Sequence, residues 1–315
     1  MYTRRLLLKQ LALGAPLLAH PGAPQDGPTF SSEVRVISVL ATVRTKSGEI
    51  VQDLTKEDFV LTEAGKPQTI KYFSRETNLP LVLGLLVDTS GSQRMVLGEE
   101  QTASYRFLDQ VLREELDRAF VVHFDYRPEV LQNMTASKAK LEKSLERLTL
   151  PFSYRGGGGT TLYDAVTLCS NLITKKETGR KAFVLLTDGE DHGSRFSVEN
   201  AVEAAQRADT LLYSILFSDG GFGGGRGFGP DGKDVLKKMS RETGGGYFEV
   251  SGKHPLDAVY RQLQEELRSQ YSLGYTPADG SARGFRAIKV ALKPAAGRKG
   301  WVVQARSGYY ADEGS

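Results

Sequence analysis

The run Leu81-Val82-Leu83-Gly84-Leu85-Leu86-Val87 carries no polar side chain and ends on an acid, Asp88. An apolar stretch of that length without alternation fits a strand covered on both faces, as in the middle of a parallel sheet. The chain beyond Asp88 has the rhythm such a sheet needs. Helical patterns near residues 100–114, 136–148, 161–175, 197–208, 231–242 and 255–269 alternate with strand-like runs. Those runs lie at 118–124 (RAFVVHF), 181–187 (KAFVLLT), 211–217 (LLYSILF) and near 247–250. The alternation predicts an α/β fold with a doubly wound, mostly parallel sheet over residues 80–270.

The flanks have a different character. Residues 33–79 begin with a β-branched run, EVRVISVLATVRT, which reads as a strand. Thr55, with Asp58 three residues on, can start a short helix. Phe59 to Glu63 and Thr69 to Phe73 read as two strands around Ala64-Gly65-Lys66-Pro67. Residues 271–311 hold three more strand-like runs, at 271–275, 285–292 and 301–306, with Gly- and Pro-rich turns between them. Neither flank alone buries enough surface to be stable, so the two are expected to pack together as a small β unit.

Composition narrows the function. The 315 residues are 40% hydrophobic and 25% charged, ample for a sizeable core. The formal net charge is +3, and Arg4, Arg5 and Lys9 account for all of it (3 − 3 = 0). Bulk charge thus gives no support to a nucleic-acid partner. Cys169 is the single cysteine, which excludes an intrachain disulfide and a cysteine-built zinc site. Within the pattern Leu168, Cys169, Leu172 it reads as a small buried hydrophobe.

Residues 1–20 have a basic start, an apolar run and small residues near Ala15 and Ala19, which is the architecture of a signal peptide. Thr3 to Lys9 also resembles a twin-arginine export motif. The expectation is an exported chain, periplasmic or secreted, with a flexible linker at 21–32. No later segment offers about 18 consecutive apolar residues, so no transmembrane anchor is expected in the mature chain.

Ligands of open α/β sheets bind beyond the carboxyl ends of the strands. Three features converge there. Asp88-Thr89-Ser90-Gly91-Ser92 comes directly after the first buried strand, Gly157-Gly158-Gly159-Thr160-Thr161-Leu162 precedes a helix, and Thr187-Asp188-Gly189-Glu190 closes another strand. Hydroxyl and carboxylate oxygens suit hard cations, Mg²⁺ first, with Mn²⁺ or Ca²⁺ as alternatives. Ser90 and Ser92 are two apart, so a tight loop can aim both hydroxyls at one point, with Gly91 easing the turn. Thr160 adds a third hydroxyl behind glycines that permit close approach. The candidate ligands are therefore Asp88, Ser90, Ser92, Thr160 and Asp188. Gly91, Gly159, Gly189, Glu190 and Asp191 are candidate supporting residues. Ser194 and Ser197 read better as caps of the next helix than as part of the site.

The order D-x-S-x-S, then G-G-T-x-L-x-x-A, then T-D-G resembles von Willebrand factor type A domains, whose metal-ion-dependent adhesion site is called the MIDAS. The likeness extends outward. DLTKEDFVLTEAGKPQTIKYF before the α/β region, and SQYSLGYTP, GFRAIKVAL and ARSGYYA after it, resemble the bacterial "VWFA-related domain" family described from acidobacteria. This resemblance covers nearly the whole mature chain. It implies a Rossmann-like fold and a divalent cation whose two aspartates often act through bound waters. It also implies an open coordination position filled by an Asp or Glu carboxylate of a protein partner, with no catalysis.

Other features carry less. YRGGGGTTL has no lysine at Walker A spacing, so a phosphate loop is rejected. Residues 219–232 (DGGFGGGRGFGPDG) read as a surface linker in preference to a partner-contacting lid. His123, His192 and His254 are too scattered for a zinc triad. Two competing functions stand beside metal-dependent binding. One is a hydrolase using Asp88 as nucleophile or the metal as Lewis acid, for which neither a second carboxylate two residues on nor a phosphate-binding lysine is evident. The other is a structural module whose metal only stabilises the fold.

Overall fold

The computed structural model describes residues 36–75, 79–91, 97–148, 159–174, 177–216, 231–278, 283–295 and 297–311. The expected signal peptide and linker, Ser92, Gly157, Gly158 and residues 219–230 of the glycine-rich loop lie outside these.

The apolar run forms β5 (Leu81–Asp88), and every one of its residues is buried. It lies between β6 (Arg118–Phe124) and β8 (Arg180–Thr187), parallel to both. Outward from β8 come β9 (Thr210–Leu216) and β10 (Tyr247–Glu249). Outward from β6 comes β7 (Pro128–Thr135), the one antiparallel member. The result is a six-stranded, mostly parallel sheet, as the alternation predicts.

Six helices cover its faces among the described residues. They are α1 (Leu97–Val111), α2 (Lys138–Leu145), α3 (Leu162–Leu168), α4 (Val198–Arg207), α5 (Gly232–Thr243) and α6 (Leu256–Arg268). Successive side chains of a strand point to opposite faces. Leu83, Leu85 and Val87 accordingly join a core with Phe107, Tyr260 and Leu263, while Leu86 joins Phe120, Leu162 and Leu236 on the other side. Gly84 sits where Phe120 and Phe183 meet edge to face across the strand, with ring centroids 5.7 Å apart. A Cβ there would lie 2.4 Å from the Phe120 ring.

Both flanks contribute to two antiparallel four-stranded sheets. In one, β1 (Ile37–Arg44) lies between β13 (Val302–Ala305) and β11 (Tyr271–Tyr275), with β4 (Tyr72–Ser74) beyond β11. In the other the order is β14 (Gly308–Ala311), β12 (Gly284–Leu292), β2 (Phe59–Glu63) and β3 (Lys66–Gln68). A third core fills the flanking unit, with Val39, Phe59, Leu61, Tyr271 and Leu273 at its centre.

Four details depart from the sequence reading. The β2 hairpin turns on Ala64 and Gly65 alone, both at positive φ (47° and 77°), so Lys66 and Pro67 belong to β3. That turn geometry matches the twist of an antiparallel pair. The run at 69–73 therefore does not pair with β2; β4 instead joins β11 in the other sheet. The helix expected over 161–175 is α-helical only to Leu168, and a π-helical turn, Cys169–Thr174, completes it. Cys169 is fully buried, as expected, while Leu172 is exposed. Finally, β7 and β14 have no counterpart among the strand-like runs of the sequence.

Candidate metal centre

Asp88 ends β5 opposite Phe124, the last residue of β6, and β8 ends beside them at Thr187. Parallel register thus brings three strand ends to one edge of the sheet. The Asp88 side chain is fully buried. Its Oδ1 accepts the Ser90 amide (2.9 Å) and its Oδ2 accepts the Thr187 hydroxyl (2.6 Å). The Ser90 hydroxyl also bonds to it. Thr187 Oγ1 in turn accepts the Gly189 amide at 3.1 Å, and Asp188 Oδ1 accepts the Glu190 amide at 3.0 Å.

Thr160 enters from the loop before α3. Its backbone pairs with that of His192, N–H to carbonyl in both directions (3.2 and 2.8 Å). The next residue, Thr161, donates both its amide (2.9 Å) and its hydroxyl (3.1 Å) to the Asp125 carbonyl. The Thr89 amide donates to the Phe124 carbonyl at 2.9 Å. The loops carrying Asp88, Thr160 and Asp188 are therefore stitched together through the turn after β6.

Burial pushes the Asp88 carboxyl up to about 6, against the Thr187 and Ser90 hydroxyls and the Ser90 amide that favour its charge, and the Asp188 carboxylate raises it further. The Asp188 charge thus adds to the cost of ionising Asp88, and among the described residues the main groups acting on Asp88 include no cation. Among the described residues, no three His, Cys, Asp or Glu side chains gather in metal-binding fashion. A cation held here would draw on hydroxyl oxygens as well as carboxylates. That donor set, hard oxygen atoms carrying excess negative charge, fits Mg²⁺, Mn²⁺ or Ca²⁺.

The supporting residues divide by role. Gly189 has φ +83°, and a Cβ on it would lie 2.4 Å from the Gly232 carbonyl oxygen, so α5 begins directly against the Asp188 loop. At Gly159 a Cβ would lie 3.1 Å from the His192 carbonyl oxygen and 3.3 Å from the Tyr126 ring. Gly91 is half-buried beside Ser90. Glu190 is exposed and pairs with His192 at 3.2 Å. Asp191 accepts the Tyr163 amide (3.1 Å) and the Ser194 hydroxyl (2.6 Å), and Ser194 Oγ accepts the Asp164 amide (3.1 Å).

Asp191 and Ser194 together therefore cap α3, the helix after Thr160. This corrects the expectation that Ser194 caps the next helix along the chain. Ser197 alone does so, accepting the Asn200 amide at the start of α4. Sequence reasoning gives no role to the Thr187 hydroxyl or the turn after β6. The one signal for Thr187 is its place at a strand end directly before Asp188.

A doubly wound α/β domain with an acid-and-hydroxyl cluster at the carboxyl edge of its sheet is the class that fold and site define. The von Willebrand factor type A domain family matches residues 83–262, more than half of the chain, and the chain belongs to it. Among solved structures, an aerotolerance-related membrane protein from Bacteroides fragilis is 15% identical. The match covers 59% of this chain and 98% of that one, with a TM-score of 0.46. BatB from Bacteroides thetaiotaomicron is 18% identical over 60% of this chain and 100% of that one, with a TM-score of 0.44. Proximal thread matrix protein 1 from the mussel byssus, with a zinc-occupied MIDAS motif, is 16% identical over 66% of this chain and 50% of that one, with a TM-score of 0.48. No curated protein sequence matches closely enough to count as a relative. Among the described residues, no helix is long and apolar enough to cross a membrane.

Proposed function

We propose that this chain is a metal-dependent protein-binding module that works without catalysis, in adhesion or as a scaffold. In this reading it is exported and engages an acidic side chain of its partner through a divalent cation, Mg²⁺ first. The observation that carries the reading is the buried Asp88 carboxylate, held between the Thr187 and Ser90 hydroxyls under the influence of Asp188, with no cation of the described residues among the main groups acting on it. Such a carboxylate is costly to keep charged unless something positive sits beside it.

Asp88, Ser90, Ser92, Thr160 and Asp188 would hold the ion. When bound, the ion would supply a positive centre with a position open to a carboxylate oxygen. Thr187 fixes the orientation of Asp88, and the bonds from Thr161 to Asp125 fix the loop of Thr160. With the two aspartates acting through bound waters, as the family resemblance implies, the direct ligands are neutral hydroxyls that leave the ion's charge incompletely offset, which favours an anionic oxygen from the partner. Export rests on the basic and apolar N-terminal segment.

The test is capture of partners from the envelope fraction of the exporting cell, with Mg²⁺ and with EDTA. Mg²⁺-dependent capture that disappears in Asp88→Ala is expected. Equal capture in EDTA, or by a folded Asp88→Ala variant, contradicts the metal bridge and favours a structural module.

A further inference from the structure

The turn between β6 and β7 presents Tyr126 to solvent at 75% exposure. The residues before it are fixed. Phe124 accepts the Thr89 amide, Asp125 accepts two hydrogen bonds from Thr161, and His123 Nδ1 lies 3.0 Å from the Thr89 hydroxyl. The ring lies against Gly159, where even a Cβ would come within 3.3 Å of it. Gly159 directly precedes Thr160, and adjacent Cα atoms are about 3.8 Å apart. An exposed aromatic ring thus stands one residue's reach from a candidate ligand, on a backbone anchored to both neighbouring loops. His192, whose backbone pairs with that of Thr160, is exposed, as are Arg195 and Phe196, whose amides bond to Asp164 at 2.8 and 3.1 Å.

Tyrosine gives large contact area at small entropic cost, and a fixed backbone lowers that cost further. Nothing in the packing of the described residues requires a tyrosine at this tip.

We infer that Tyr126 forms a second contact of the binding site, and that the partner segment is acidic with an aromatic or large aliphatic residue next to its Asp or Glu. In this arrangement the carboxylate reaches the cation and the neighbouring apolar side chain packs on Tyr126. The inference rests on the metal-binding reading, so its test must separate the two.

Three short peptides, identical except for a central Phe-Asp, Gly-Asp or Phe-Asn pair, are titrated into the full chain with Mg²⁺ and with EDTA. Phe-Asp is expected to bind about tenfold tighter than Gly-Asp in Mg²⁺. That preference should fall to within about twofold in Tyr126→Ala and persist in Tyr126→Phe, while Phe-Asn fails to bind. The exposure of Tyr126 makes both variants compatible with folding, which a melting curve checks. EDTA-sensitive binding of both acidic peptides with equal affinity, or a preference unchanged in Tyr126→Ala, overturns the inference and leaves the metal site standing. Binding of the acidic peptides that is indifferent to EDTA, or its absence in Mg²⁺, overturns the metal reading and the inference with it.

Discussion

At the scale of single residues, the site depends on positions where no other side chain fits. Gly189 combines φ +83° with a Cβ position 2.4 Å from the Gly232 carbonyl oxygen. Gly189→Ala is expected to cost about 2 kcal/mol or more and to weaken Mg²⁺ binding, because the strain falls beside Asp188. Urea unfolding and a metal titration of the same variant check both effects. Gly84 is a control on the same strand, four residues and about 13 Å before Asp88. Gly84→Ala forces apart the Phe120 and Phe183 rings and should cost about 1–3 kcal/mol with metal affinity unchanged. The convergence of Asp88, Ser90, Thr160 and Asp188 on one edge of the sheet is legible from their places at strand ends or before a helix, while Ser92 lies outside the described residues. The Thr187 bond to Asp88 is not legible, because strand register sets it, and spacing along the chain carries no register information.

Among elements, those with one unmixed signal are easiest to read. β5 is buried on both faces and is apolar throughout, so its sequence has a single interpretation. β7 is an edge strand with exposed and half-buried residues in no regular order, and Pro128 opens it. Neither periodicity nor composition marks such a strand. The anchoring of elements also makes a prediction. Asp117, fully buried, accepts the Leu81 amide at the start of β5 (2.8 Å) and pairs with Arg113 after α1 and Arg268 at the end of α6. Burial alone would raise its carboxyl, but the two guanidinium groups and the amides outweigh it and hold it at about 2.

The folded value lies below the unfolded 3.8. The stabilisation is therefore complete above the unfolded value and is lost as pH falls through about 2. Asp117→Asn should cost about 2 kcal/mol at neutral pH, allowing for the partly exposed arginines, and should flatten the acid limb of the stability curve. Melting curves between about pH 2 and pH 5 read this directly; an unchanged acid limb would show that Asp117 does not anchor these elements.

In the whole molecule, the flanking sheets and the α/β domain share buried polar ties. Glu266 of α6, fully buried, accepts Arg44 of β1 (2.7 Å) and Gln304 of β13 (2.6 Å), and the Ser307 amide donates to the Glu242 carbonyl (3.0 Å). Breaking the bonds to Glu266 strands a buried carboxylate, so the parts should unfold together. Trp301, the single tryptophan, packs on the flanking core. Its fluorescence and the far-UV circular dichroism are expected to follow one urea transition, and an earlier loss of the tryptophan signal would show that the flanks melt independently. This joining of the two ends is legible in outline, since neither flank can stand alone, but which strands pair is not.

The central claim is that the oxygen cluster at the carboxyl edge holds a divalent cation. Calorimetric titration of Mg²⁺ into the wild-type chain, Asp88→Ala and Thr160→Ala tests it most directly. Saturable binding of a single ion to the wild type, affinity at least about tenfold weaker in Thr160→Ala, and no binding to a folded Asp88→Ala is the predicted result. Equal binding by wild type and Asp88→Ala would contradict it.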